Sequence, residues 1–194
     1  MSKLIFSTDN FQCHLLCDQC THLTNSGIRC RRRVCLGYPT CWQHTIQQYG
    51  IQVKESSIQG AGKGLFVTRD FKKGEWICPY VGEVIDQNCT YQRYTPGQTC
   101  PYMIEKDGTE YIDAACVRGI GSMANCLVKN NGDVRSVEAH NASFSWRTSL
   151  NEPWLKTTKN IKKGREIFVY YGSDFKVQDN HITKRGNGPD TRPC

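Results

Sequence analysis

Six cysteines, Cys13, Cys17, Cys20, Cys30, Cys35 and Cys41, crowd into residues 13–41, with His14, His22 and His44 close by. The other six (Cys78, Cys89, Cys100, Cys116, Cys126 and Cys194) are scattered over the rest of the chain. Thiolate and imidazole ligands in short-range pairs close a tetrahedral zinc shell, and the ion stabilises a segment too short to bury a core of its own. Cys41-Trp-Gln-His44 is a C-x2-H pair, compact enough for both side chains to reach one ion. Upstream, Cys17-x2-Cys20 is the other tight pair and Cys20-x9-Cys30 a wider one. Spacing alone leaves open which four residues bind, and whether a second ion takes Cys13, Cys17, His22 or Cys35. Segregated cysteines behind an N-terminus that does not read as a signal peptide argue against a disulfide framework, so thiols and metal ligands are expected.

The elements that must hold these groups are short. The chain has 194 residues and a net charge of +7, a length that suits one domain plus a small module. Arg29, Arg31, Arg32 and Arg33 cluster around Cys30; they suit weak contact with phosphate or an acidic protein, or a solvated basic face. No apolar run reaches the ~18 residues of a membrane span, and the chain reads as intracellular. Residues 1–12 read as a leader, 13–48 as the metal module, Gln47–Gly50 as a short join, and 174–194 as a loop-like tail. Ile51–Ser56, Leu65–Thr68 and Trp76–Ile85 are strand-like runs separated by glycine turns at Gly60-Ala-Gly62-Lys-Gly64 and Lys72-Lys-Gly74-Glu75. Such spacing predicts a mostly β (α+β) domain of small sheets. One internal echo stands out: Thr68-Arg-Asp-Phe-Lys-Lys-Gly74-Glu75 returns as Thr158-Lys-Asn-Ile-Lys-Lys-Gly164-Arg165. It predicts two similar hairpins near the two ends of that domain.

Two resemblances sharpen this reading. Cys20-Thr-His-Leu-Thr24-Asn-Ser-Gly27-Ile-Arg-Cys30-Arg…Cys41-Trp42-Gln-His44 resembles a small zinc-finger family, frequent in large DNA viruses and protists, with the pattern C-x3-T-x2-G-x2-C-(K/R)…C-W-x-H. That implies Cys20, Cys30, Cys41 and His44 as ligands, with Cys17 in place of Cys30 as the alternative shell. Residues 51–173 resemble, segment by segment, the SET domain of lysine methyltransferases, which use S-adenosylmethionine (SAM). The carriers are Gly60-Ala-Gly62-Lys63-Gly64-Leu-Phe66, Tyr80-Val-Gly82-Glu-Val-Ile85, Tyr111-Ile-Asp113-Ala114 with Arg118-Gly119, Ser122-Met-Ala-Asn125-Cys126, Asn141-Ala-Ser-Phe144 and Ile161-Lys-Lys-Gly164-Arg-Glu166-Ile-Phe-Val169-Tyr170-Tyr171-Gly172. The resemblance implies a SET fold of small twisted sheets with a threaded crossing.

By the same resemblance, Ala61, Gly62, Lys63, Asn125, Cys126 and Tyr171 contact the cofactor. Tyr171 is the catalytic hydroxyl, with Tyr170 its competitor, and Tyr102 lines the lysine channel. Val169 stands where the family often has a larger aromatic, leaving room for repeated methylation. Two departures from the family pattern bear on activity: Cys126 replaces the usual histidine after Asn125, and Ser122 the usual arginine. The implied activity is methylation of a histone or other basic tail, in the nucleus or on chromatin (of a virus's host cell, if the finger's usual source holds). A catalytically degenerate scaffold, serving as a zinc-finger protein- or nucleic-acid-binding module, is the alternative. A C-terminal cluster of three cysteines, known from one branch of the family, cannot form from Cys194 alone, which leaves Asp174-Phe175 and the tail, or a partner, as the lid.

Overall fold

The computed structural model describes residues 2–7, 11–34, 39–96, 100–129, 131–173 and 175, and the structural statements below concern these residues. Cys35, Asp174 and the tail from residue 176 lie outside them. The elements in chain order are β1 (Ser2–Ser7), β2 (Gln12–Leu16), β3 (Asp18–Gln19), β4 (Arg33–Val34), α1 (Trp42–Tyr49), β5 (Ile51–Glu55), β6 (Lys63–Val67), β7 (Trp76–Pro79), β8 (Glu83–Asp86), α2 (Gln87–Arg93), β9 (Met103–Glu105), β10 (Glu110–Asp113), β11 (Ala142–Arg147) and β12 (Glu152–Thr157), with 3-10 turns at Ile120–Met123 and Val137–Ala139. No helix among the described residues is long and apolar enough to cross a membrane. The mostly β expectation holds.

The chain divides into two compact units, each discontinuous in sequence: residues up to His44 with Pro79–Ser122, and Thr45–Cys78 with the residues from Met123. In the first, β1 and β2 form an antiparallel hairpin, β3 pairs with β4, and β10 lies between β8 and β9. Asp86 caps α2 by accepting the Cys89 amide at 2.7 Å. Asp113, fully buried at the end of β10, accepts hydrogen bonds from Arg93 (2.9 Å), the Tyr94 hydroxyl (3.0 Å) and the Ala115 amide (2.9 Å). A buried carboxylate persists only with such partners. Arg93 also grips Glu83 through both nitrogens, at 2.9 and 3.2 Å.

One expectation fails in this unit. The Cys13 and Cys116 sulfurs are bonded, with Cα atoms 5.0 Å apart and a separation of 103 in sequence, and Cys17 is also disulfide-bonded. Neither Cys13 nor Cys17 is therefore a free ligand for a second ion. Composition and local spacing do not reveal a pairing this distant, since it depends on how the strands meet.

In the second unit β5 pairs antiparallel with β6, from Ile51↔Val67 to Glu55↔Lys63, and β12 lies between β11 and β7. The expected join at Gln47–Gly50 is instead the last turn of α1. Gly50, with φ +68°, donates its amide to Ile46 O at 2.8 Å, the left-handed glycine end that stops a helix. The two echoed segments, near opposite ends of the domain in sequence, face each other in space. Phe71 and Ile161 exchange both backbone bonds at 2.9 Å, and the flanking contacts repeat with the roles swapped. Lys73 N donates to Asn160 Oδ1, and Lys163 N to Asp70 Oδ1, both at 2.8 Å. Each Lys-Lys-Gly turn places its glycine at positive φ, +87° and +83°, as the third position of a type II turn requires.

Gly82 supplies a test of the first unit's packing. A Cβ there would lie 2.6 Å from the Asp113 carbonyl carbon and oxygen and 2.8 Å from Ala114 N, backbone that cannot swing aside. Gly82→Ala should lower stability by about 1–3 kcal/mol, read as a fall in Tm; an unchanged Tm would refute this close approach.

Candidate active site and metal centre

The Cys/His cluster that could hold a metal ion lies within the first unit. Between Cys20 and Cys30 the chain makes a tight loop: Thr24 N donates to Ile28 O at 2.8 Å, Thr24 Oγ1 accepts the Ile28 amide at 3.1 Å, and Gly27 sits at φ +75°. The T-x2-G text between the cysteines is thus the text of a turn. Cys41 precedes α1 and His44 lies three residues on, so the two share one side of the first turn. Cys20 Sγ is 3.4 Å and Cys41 Sγ 3.3 Å from His44 Nδ1, and the ligand atoms of Cys20, Cys30, Cys41 and His44 all lie within 4.8 Å of one another. Zn–S bonds of ~2.3 Å and Zn–N bonds of ~2.0–2.1 Å set tetrahedral ligand separations of roughly 3.4–3.8 Å, so the set fits an ion of zinc's size. Cys41 N also donates to Cys20 Sγ at 3.2 Å. His22 stacks on His44 with centroids 3.7 Å apart, supporting the ligand ring without joining the cluster. Partial burial first, then the charges of His22 and Arg32, hold His44 below its ordinary pKa, which favours the neutral, ligating imidazole.

Three of the four clustered arginines are engaged locally. Arg29 donates to Cys20 O (3.0 Å) and Gln19 O (2.6 Å), Arg33 to Cys17 O (2.8 Å), and Arg32 to Gln43 while lying over Trp42.

Also in the first unit, Tyr102 is half-buried. Its carbonyl accepts the Tyr80 hydroxyl at 2.7 Å, and its ring lies 4.0 Å beneath the Arg118 guanidinium. Arg118 is itself fixed to Ala114 O and Ala115 O, each at 3.2 Å.

The second unit gathers most of the other predicted residues. Residues 165–169 bond β6 on one side (Val67 N to Arg165 O, 3.0 Å; Ile167 N to Leu65 O, 2.7 Å) and the 125 and 142 segments on the other, through parallel bridges Asn125↔Phe168 and Ala142↔Val169. Glu166, buried in this closing segment, accepts from Ser56 Oγ (2.7 Å), Ser57 N (2.7 Å), Ser57 Oγ (2.6 Å) and Asn125 Nδ2 (3.1 Å). Asn125 Nδ2 also reaches Ser56 Oγ (3.1 Å) and Lys63 O (3.0 Å). The glycine loop, the Asn125 segment and the closing segment are thereby one hydrogen-bonded assembly. Ala61, Gly62 and Lys63 are half-exposed on the loop, with Gly60 and Gly62 at φ +80° and +73°, and the Lys63 ammonium pairs with Glu55.

Tyr171 donates its hydroxyl to Ala124 O at 2.5 Å, beside Asn125. Its ring stacks on Phe144 and meets Phe175 edge-on at 4.9 Å. Tyr170 turns instead toward His140, 5.7 Å away. Val169 is fully buried, its amide on Asn125 O at 2.9 Å. Cys126 is buried, which pushes its thiol up to about 11 against a hydrogen bond from the Tyr171 backbone. Where the resemblance has a histidine, the imidazole of His140 lies 3.4 Å from the Cys126 sulfur.

Glu166, Ser56, Ser57, His140 and Asn141 were given no role by the sequence reading. Asn141 clamps the closing segment, donating to Glu166 O (2.9 Å) and accepting from Phe168 N (2.8 Å). Glu166 and Asn141 stood within quoted motifs; nothing at the level of sequence marked His140.

The glycine loop, the Asn125 segment and Tyr171 thus belong to one hydrogen-bonded assembly. The SET domain profile matches residues 62–172, more than half of the sequence, and the chain belongs to the SET-domain family. It is similar to a histone-lysine N-methyltransferase, H3 lysine-36 specific, of Yarrowia lipolytica (35% identical over 123 residues, 61% of this chain and 15% of the relative). It is also similar to the histone-lysine N-methyltransferase EZH2 of Chaetomium thermophilum (24% over 151 residues, 72% of this chain and 9% of the relative). Among solved structures it resembles the Chaetomium thermophilum Polycomb Repressive Complex 2 bound to GSK126 (TM-score 0.51, 21% identity, 66% of this chain and 16% of that one). It likewise resembles ctPRC2 in an autoinhibited conformation bound to S-adenosylmethionine (TM-score 0.50, 20% identity, 66% and 16%). The fold expectation is met, and this chain spans less than a sixth of each of these relatives.

Asn125→Ala deletes the donor that three part-buried acceptors share, the Ser56 hydroxyl, the Lys63 carbonyl and the Glu166 carboxylate. A loss of about 1–3 kcal/mol in denaturant unfolding is expected; a change below about 0.5 kcal/mol, the size seen at ordinary surface positions, would contradict this account.

Proposed function

We propose that this chain is a SAM-dependent protein-lysine N-methyltransferase acting on a histone or other basic tail. Residues 51–173 form its catalytic domain and residues 13–48 its zinc module, on chromatin. The observation that carries the reading is the Tyr171 hydroxyl, anchored on Ala124 O beside Asn125 and tied through Asn125 and Glu166 to the glycine loop. The related histone methyltransferases support it.

S-adenosylmethionine, when bound, supplies a sulfonium methyl for in-line displacement by the lysine amine. The chain's task is mainly placement, and holding reactants in line is worth up to ~7–11 kcal/mol. Ala61, Gly62 and Lys63 offer half-exposed backbone on a loop whose glycines let a ligand approach closely, and Asn125 and Cys126 would hold the adenine end. Tyr171 donates its O–H in a hydrogen bond to Ala124 O, so the lone pairs of its oxygen face away, suited to orient an amine N–H and the polarised methyl without itself titrating. Tyr102 is assigned to the lysine channel on its place in the sequence. Cys20, Cys30, Cys41 and His44 would hold zinc as a closed structural site. A nucleic-acid contact would fall to Arg31 and the exposed parts of its engaged neighbours, as weak electrostatics.

The test is incubation of the full chain with SAM and a panel of histones, followed by mass spectrometry. Methylated lysine is expected, together with thermal stabilisation by S-adenosylhomocysteine, as ligand linkage demands. Absence of both would favour the degenerate scaffold. Tyr171→Phe should keep S-adenosylhomocysteine affinity and lose about 10²–10³ in kcat, the usual effect of removing one such group; full activity there, with loss in Tyr170→Phe, would reassign the role. For the metal, atomic absorption should find about one zinc per chain, and chelation should unfold the Cys20–His44 segment before the rest. A zinc-free protein with an unaltered melting curve would remove the metal from this account.

A further inference from the structure

His140 is fully buried at 1% exposure, and its ring contacts have fixed polarity. Nδ1 lies 3.0 Å from Ser136 O, a carbonyl that only accepts, so Nδ1 carries the proton. Nε2 receives the Leu127 amide at 3.1 Å, a group that only donates, so Nε2 is unprotonated and accepts through its lone pair. The ring is therefore a neutral imidazole of one tautomer, and burial, which holds its pKa below the ordinary value, acts in the same sense. The Cys126 sulfur shares the Nε2 side at 3.4 Å.

The segment it grips is the one that bears Asn125 and Cys126. That segment is also held by the Tyr171 hydroxyl on Ala124 O, by Val169 N on Asn125 O, by the Tyr171 backbone on the Cys126 thiol, and by the Asn125 side-chain amide, which donates to Ser56, Lys63 and Glu166. Beyond Cys126, Arg135 N holds the Leu127 carbonyl at 2.9 Å and His140 holds the Leu127 amide, while the next residue, Asn141, clamps the closing segment. We propose that His140 is a positioning residue for the cofactor site, its Nε2 lone pair fixing the Leu127 amide beside the Cys126 sulfur so that residues 125–126 keep the conformation that receives the cofactor. The inference rests on the methyltransferase reading, and a mere core histidine would do none of this.

The experiment measures S-adenosylhomocysteine affinity by calorimetric titration, and SAM KM and kcat, for the full chain and for His140→Ala, His140→Asn and His140→Gln. Only glutamine reaches the Nε2 position with an acceptor. His140→Ala and His140→Asn should weaken affinity and raise KM about tenfold, the order expected from leaving the Leu127 amide unpaired, with kcat at saturating SAM within about threefold of wild type. His140→Gln should recover affinity to within about threefold. Wild-type affinity in His140→Ala, or equal losses in Asn and Gln variants, would overturn the proposal. If the variants do not fold, ¹⁵N-histidine spectra of the wild type decide. An unprotonated His140 Nε2 whose resonance moves on adding S-adenosylhomocysteine supports the proposal; a protonated Nε2, or one indifferent to the ligand, refutes it. Wild-type protein that binds no S-adenosylhomocysteine would instead sink the methyltransferase reading, and this inference with it.

Discussion

The Glu166 carboxylate is nearly buried, and its donors are uncharged: two serine hydroxyls, one backbone amide and one side-chain amide. A carboxylate taken out of water without such donors would cost several kcal/mol. Its solvation is instead supplied by residues 56, 57 and 125, which lie far from 166 in sequence. None of these three segments can keep its conformation if another leaves. Gly64 belongs to the same arrangement, since a Cβ there would collide with the Glu166 oxygen. The half-exposed loop at residues 61–63 can therefore be open to a ligand without being loose at its base.

A second constraint braces the same unit. The echoed segments meet at Phe71 and Ile161, and Asp70 and Asn160 cap each other's lysine turns. The segment leaving the first turn continues into β7, while the segment leaving the second becomes the closing segment that passes Asn125 and reaches Tyr171. Pairing the turns thus sets where the closing segment starts, and Glu166 and Asn141 set where it runs.

The segment that carries the Cys/His cluster follows a different logic. Among the described residues between Cys20 and Cys41 few side chains are buried, with Val34 the apolar partner of the cysteines, so packing of these residues alone holds little there. Four ligands within 4.8 Å fit an ion that would take the place of the missing core. The Arg29 and Arg33 hydrogen bonds to backbone carbonyls tie the same loops from outside.

Features carried by neighbours in sequence were legible without coordinates. The Thr24-x2-Gly27 turn, the Cys41-x2-His44 pair on one helical turn and the glycine turns between short strands each depend on a few consecutive residues, whose backbone preferences and spacing are written in the text itself. The ordered SET segments were legible for the same reason, as local motifs in a fixed order. What only the tertiary structure decided are the partners of polar side chains: Glu166 with Ser56, Ser57 and Asn125, His140 with Leu127 and Cys126, and Cys13 with Cys116. A carboxylate, an imidazole or a thiol looks the same in sequence whether it faces water or closes a buried network. Its role depends on which donors and acceptors the folded chain brings within about 3 Å of it, and these come from segments tens of residues away.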